Sequence, residues 1–223
     1  MHTRILYTPG DGSQGGELRA AWRPGTGGTT ARLSYACGTV GAMVTSPPTL
    51  QACVFVGLSV DGFIARPDGD LTWATSRGEA AGDAGFTPFV ESVDAVLMGR
   101  GTYDVIAGFD HWPYRGRPVH VLSTTLAPDA DARVSVHSSF HDALAALAAT
   151  GHRRVFVDGG RTVRTFLAAG LVTELTLSRV PVLIGEGVSL FGPLSQDVDL
   201  EHVRTEVLGG GMVQTTYRVS GAR

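Results

Sequence analysis

The 223-residue chain contains no lysine; all 18 of its basic residues are arginine. Two chemistries go with that absence. No lysine Schiff base can form, and the P-loop, whose lysine reaches the phosphates, is excluded. Cysteine is almost absent, with only Cys37 and Cys53. They form no C-x-x-C and no metal-ligand spacing. Cys53 lies in an apolar run and reads as a buried small hydrophobe, and a reducing, cytoplasmic setting is the default for such a chain. The seven histidines are scattered and make no H-E-x-x-H, so no metal site is expected. Positive charge is not in excess: the net charge is −3. With no basic footprint and no interleaving of aromatic and basic residues, nucleic acid is not an expected partner. No apolar stretch reaches the ~18 residues that a membrane-spanning helix needs. The opening MHTRILYTPGDGSQGG lacks the apolar centre of a secretory signal.

What is present changes character near residue 50. At 43% hydrophobic and 17% charged, the chain can bury a sizeable core. Residues 1–50, however, are rich in Gly, Thr, Ser and Pro with little periodicity, and read as a flexible appendage to a domain spanning 51–223. Met43 stands just before VTSPPTLQ and the first strand, which makes it a candidate natural start, with residues 1–42 an over-extended reading frame. A peptide from residues 5–19, detected by mass spectrometry in natively expressed protein, would remove that reading. The extension holds Gly10-Asp11-Gly12-Ser13-Gln14-Gly15, a match to G-x-G-x-x-G. That fingerprint needs a preceding strand, a following helix and an acid about 20 residues on. RILYT is a poor strand, Pro24 cuts the helix short, and no Asp or Glu occurs between Arg19 and Ser59. The motif reads as a glycine-rich loop.

From Ala52 onward, strands alternate with helices. Apolar runs predict strands at 52–58, 94–98, 118–122, 154–158, 172–182, 200–208 and 212–219, and helices at 88–93, 101–107, 139–149 and 161–169. Such repetition predicts an α/β fold with a mostly parallel central sheet and helices on both faces. The last two strands, around Gly209-Gly210-Gly211, predict an antiparallel hairpin at a sheet edge.

Parallel sheets bind ligands beyond the carboxyl ends of their strands, so four loops matter. After strand 52–58 comes a long, turn-rich loop, Ser59 to Asp70, ending near Trp73. After strand 94–98 comes Gly99-Arg100-Gly101-Thr102. Its glycine permits close backbone approach, its arginine is a forked donor for phosphate, and a helix start favours an anion. After strand 118–122 come three hydroxyls, Ser123-Thr124-Thr125, suited to a phosphate, a ribose or a simple turn. After strand 154–158 comes Asp158-Gly159-Gly160, then a helix whose apolar face is Val163, Phe166 and Leu167. Its free amides suit a pyrophosphate, and its glycines equally suit close helix–strand packing.

Five segments taken in order are similar to a known family: VGLSVDGFIARPDGDLTW, VDAVLMGRGTYDVI, RPVHVLSTT, VFVDGGRTVRTFL and LTLSRVPVLIGEGVSLF. Together they resemble the three-layer dihydrofolate reductase-like fold. The nearer likeness is to its bacterial branch, related to the reductase domain of the bifunctional riboflavin-biosynthesis deaminase/reductase. The resemblance covers roughly residues 52–219 and implies an NADPH-dependent reductase. It assigns Gly99, Arg100, Thr102, Ser123 and Thr124 to the adenosine 2′-phosphate and pyrophosphate. Gly159, Gly160, Arg161, Thr162 and Val163 fall on the pyrophosphate and nicotinamide side. Gly57, Ile64 and Ala65 border the nicotinamide, and Trp73 flanks the substrate pocket.

For the proton that accompanies hydride transfer, the resemblance suggests Asp83, with Ser178 as a neighbouring hydroxyl. Thr87-Pro88, however, reads as an N-cap followed by a first helical proline. Asp83 then sits in the loop before the helix, and Asp61, in its S-x-D-G setting, is the rival. The zinc deaminase signature, H-x-E with P-C-x-x-C, is absent, so a complete bifunctional riboflavin enzyme is excluded. The expected substrate is pterin-like, folate-like or ribosylaminopyrimidine-like. A non-catalytic nucleotide- or pterin-binding module is the alternative, and a homodimer is a further implication of the resemblance.

Overall fold

The computed structural model describes residues 50–221. The 1–50 appendage, the Met43 start, Cys37 and the Gly10–Gly15 motif lie essentially outside the described residues.

Eight strands form one sheet in the order β5-β4-β3-β6-β1-β7-β10-β9. They are β1 (Gln51–Ser59), β3 (Ala95–Gly99), β4 (Val119–Leu122), β5 (Val134–His137), β6 (Arg154–Asp158), β7 (Val172–Val180), β9 (Leu200–Val207) and β10 (Val213–Val219). Strands β5 to β7 in that order pair in parallel; β10 runs antiparallel to both β7 and β9. The mostly parallel sheet with its C-terminal antiparallel hairpin is thus the architecture observed. Two short strands, β2 (Phe63–Ala65) and β8 (Val188–Ser189), make a separate antiparallel ribbon.

Strand alternation explains why both faces are covered. On β3, Ala95 and Leu97 face one core while Val96 and Met98 face the other. Strands buried on both sides read as continuous apolar runs, as VDAVLM and RVFVD do. One face packs on α4 (Phe140–Ala149) and α5 (Gly160–Ala168) through Ala143, Leu147, Val163, Phe166 and Leu167. The other packs on α2 (Phe86–Glu91) and α3 (Arg100–Ala107) through Phe89, Val90 and Tyr103. A smaller cluster joins Trp73 of α1 (Thr72–Gly78) to Val180 and Met212. Cys53 is fully buried, and burial pushes its thiol up to about 11, which leaves it inert.

Three expectations need correction. No element is expected just after the loop that ends near Trp73, yet α1 and a 3-10 turn, Glu79–Ala81, form there. Only Trp73 of α1 is buried, so the segment carries no periodic apolar face and tertiary packing holds it. Strand β5 lies in a stretch with no expected element; its short VSVH run is stabilised by pairing with β4. The helix expected to start at Thr87-Pro88 begins at Phe86, after Gly85 at φ 83°. Asp83 takes the capping role from outside, accepting from the Thr87 amide at 2.9 Å and from its hydroxyl at 2.9 Å.

Candidate active site

Strands β3 and β6 are neighbours, with Met98 opposite Asp158. Their carboxyl ends therefore bring the starts of α3 and α5 side by side. The contact is close enough to demand glycine. A Cβ on Gly99 would lie 3.0 Å from Thr162 Oγ1. Gly159 has φ 92° and ψ 135°, outside the range of L side chains, and a Cβ there would overlap Thr102 Oγ1. A Cβ on Gly160 would sit 2.6 Å from the Ser189 carbonyl oxygen and 3.5 Å from Ile64 Cδ1. The two glycines thus admit α3 on one side and the β2–β8 ribbon on the other. Ribbon and helix are held further by Arg164, whose guanidinium donates to the Ser189 carbonyl at 2.5 Å.

Open space lies elsewhere in the same region. Gly57 on β1 is exposed, and an added Cβ would meet nothing within 4 Å; the same holds for Gly101 in the first turn of α3. The first amides of α3 and α5 precede any intrahelical acceptor and so lack helical partners. Two such helix starts beside open glycines fit a dinucleotide phosphate. Arg100, about half-exposed, spends its Nε–H on Asp104 at 2.7 Å and keeps its other donors. Thr124 is exposed, whereas Ser123 is built into its own turn: its hydroxyl accepts from the Thr125 and Leu126 amides. Arg161 is exposed; Thr162 and Val163 are buried and offer only their backbone. Ala65 packs its carbonyl against Gly187.

The three residues expected to act in proton transfer are held by other bonds. Asp61 accepts from the Gly185 amide at 2.8 Å and from Ile184 at 3.2 Å. The Ser59 hydroxyl and these amides hold its carboxyl below the usual carboxylate range. Asp83 is exposed and caps α2, as above. Ser178, buried on β7, accepts from Gln214 Nε2 at 2.9 Å. Gln214 also donates to the Ala84 carbonyl at 2.9 Å, and Ala84 is the non-glycine residue with positive φ (49°) among the described residues. Gln214 therefore ties the Asp83 loop to β7 without bringing Asp83 to Ser178. Trp73 is 3% exposed, with its indole N–H buried and without a partner among the described residues.

Another carboxylate has the properties those residues lack. Asp158 ends β6, on the face that carries Phe156. Its Oδ1 accepts from the Gly159 amide at 2.7 Å, and its Oδ2 lies 3.5 Å from the hydroxyl of Tyr114. Desolvation raises its pKa to about 6 against these two bonds. Tyr114 in turn packs against Phe86 and Phe156, the three ring centroids lying 6.1–6.3 Å apart. The signal of Asp158 in the sequence was a charged residue at the very end of a buried strand. Tyr114, in HWPYRGRP, had none. Among the described residues no group of three His, Cys, Asp or Glu is arranged to hold a metal ion, and no helix is long and apolar enough to cross a membrane.

Comparison with known proteins agrees with the fold. A solved structure of a Shewanella sp. PV-4 protein named for riboflavin biosynthesis superposes with a TM-score of 0.70 at 36% identity, covering 77% of this chain and 99% of that one. The riboflavin biosynthesis protein RibD of Corynebacterium ammoniagenes is 31% identical over 183 residues, 74% of this chain and 50% of that protein. The uncharacterized protein YyaP of Bacillus subtilis is 26% identical over 179 residues, 74% of this chain and 93% of its own length. The family model for the RibD C-terminal domain matches residues 52–214. The chain belongs to the RibD C-terminal domain family.

Proposed function

We propose that this protein is an NADPH-dependent reductase of a small heterocyclic substrate, pterin- or folate-like or ribosylaminopyrimidine-like. The family implies reductase-type chemistry in general. One observation carries the finer reading: two helix starts adjoin at the carboxyl ends of β3 and β6, beside a carboxyl group whose pKa burial raises to about 6.

In this reading the amides opening α3 and α5 hold the pyrophosphate, and Arg100 with Thr124 holds the 2′-phosphate. Gly57, Ile64 and Ala65 border the nicotinamide. NADPH, when bound, supplies a hydride. The chain's own part is to place the acceptor and to supply a proton. Asp158 is the proton source: its O–H bond breaks as a bond to a substrate nitrogen forms. The carboxylate left behind is stabilised by the Gly159 amide and the Tyr114 hydroxyl, and solvent restores the proton. Asp61 and Asp83 hold loops. Phe55 packs on Phe86 and Phe89, which extend the aromatic cluster of Tyr114 and Phe156.

The same proposal includes a homodimer and a cytoplasmic setting. Support for the dimer is β9, an eight-residue edge strand exposed along its whole length. The test of function is decay of NADPH absorbance on addition of pterins, dihydrofolates and ribosylaminopyrimidines. Consumption with any of them supports a reductase; NADPH binding without consumption across all three assigns the non-catalytic module instead.

A further inference from the structure

Tyr114 is an unusual residue for the loop that carries it. The segment between α3 and β4 is largely exposed, yet Tyr114 is 2% exposed. Its ring is enclosed by Phe86, Trp112 and Phe156, with centroids 5.8–6.3 Å away. Trp112 is fixed in turn by Arg133, whose guanidinium carbon stands 4.2 Å over the indole and which is itself paired to Asp131 at 2.7 Å. A phenol buried this deeply needs a hydrogen-bond partner, and the side chain within reach is Asp158.

We propose that Tyr114 is the positioning residue of this site, its caged hydroxyl orienting the Asp158 carboxyl so that the transferable proton points away from the aromatic cage. The proposal rests on the reading of Asp158 as proton source. Oδ1 takes the short bond, from the Gly159 amide at 2.7 Å, and Oδ2 the long one, from Tyr114 at 3.5 Å, so the acid proton resides on Oδ2, the weaker acceptor. An oxygen of a neutral carboxyl carries its proton and still accepts a hydrogen bond. Tyr114 donates to Oδ2 from the protein side, which leaves the proton on the side away from the aromatic cage. When the proton departs, both donors remain and the carboxylate stays in the same rotamer. No oxidant, reductant or second acid is required for this step. Without the hydroxyl, the carboxyl is free to rotate and its ionised form loses one of two donors.

The test uses full-length protein carrying carbon-13 in the Asp carboxyl and Tyr ring carbons. In wild type, the Tyr114 ring carbon bearing oxygen follows the titration of Asp158 with the same midpoint; independent titrations overturn the proposal. In Tyr114→Phe, the Asp158 midpoint moves up, on the order of half a unit to one unit for so long a hydrogen bond. Turnover falls at unchanged KM, and the pH at which activity declines moves with the midpoint. An unmoved midpoint overturns the proposal whatever the turnover. The wild-type measurement keeps the test decisive if the Phe variant does not fold. Failure of the underlying reading looks different: the midpoint moves in Tyr114→Phe, while Asp158→Asn turns over like wild type. That result supports the pairing and removes Asp158 from the chemistry.

Discussion

Acid should undo this protein at one identifiable place, the histidine pair that joins β4 to β5. His120 is 5% exposed on β4, with Nδ1 2.8 Å from Nε2 of His137, the last residue of β5. Its own Nε2 is buried without a partner among the described residues. Desolvation, then the nearby His137 and His152, push its pKa down from 6.5 to about 4. Burial lowers His137 as well. The neutral imidazole is therefore the form that fits the fold. Its contribution is intact above pH 6.5 and drains away as pH falls toward 4, because the unfolded chain takes up the proton first. For pKa values of 6.5 unfolded and 4 folded, the linkage integral costs about 2 kcal/mol at pH 5 and about 3 kcal/mol at pH 4. The perturbation is His120→Leu, which removes the titrating ring and keeps the site filled with apolar volume. Urea denaturation of wild type and variant at pH 7, 6, 5 and 4 reads the effect. The variant is less stable at pH 7, since it loses the bond to His137, but it loses about 2 kcal/mol less than wild type between pH 7 and pH 5. Parallel stability curves over that range would refute the reasoning. The consequence reaches the site, because the His137 carbonyl accepts from the Ser123 amide at 3.0 Å.

Three further outcomes follow from the same geometry. Arg100→Ala should weaken NADPH more than NADH, by roughly 1.5–3 kcal/mol for a charge-assisted phosphate contact, measured by calorimetry; equal losses count against the 2′-phosphate assignment. Asp158→Asn should cut turnover and yet stabilise the fold at pH 8. The raised pKa of the acid means its contribution is present below 3.8 and lost as pH rises through about 6. Discounted for partial exposure, the gain is about 2 kcal/mol at pH 8 and none at pH 4, read from urea midpoints. Gly159→Ala should destabilise by about 2–3 kcal/mol, since φ 92° is strained for any side chain and Thr102 must move; an unchanged midpoint would contradict the close packing of α3 on α5.

Much of the fold was legible because its strands are buried on both faces. VLMG, VFVD and LTLS announce themselves as apolar runs, and Gly99 and Gly159 mark the helix starts that follow. Segments held by a single long-range contact were not legible. Strand β5 is four residues that exist by pairing with β4, and α1 is one buried tryptophan docked on Val180 and Met212. Thr87-Pro88 misled because its local chemistry is that of a cap. Nothing local could show that Asp83 would reach forward four residues to bind that threonine. The same limit applies to the site. The glycine and hydroxyl loops were visible as strand ends, whereas the environment of Asp158 is made by Tyr114, 44 positions earlier in the chain. The glycine pair itself has a narrower role than a bare cradle: Gly159 and Gly160 make room for Thr102 and Ser189, and the open approach lies at Gly57 and Gly101.

The central claim is tested most directly by calorimetric titration of the full chain with NADPH, and with NADH as the comparison. The account predicts saturable binding of one NADPH per chain, clearly tighter than NADH. Absence of saturable NADPH binding, or equal affinity for the two, would contradict it.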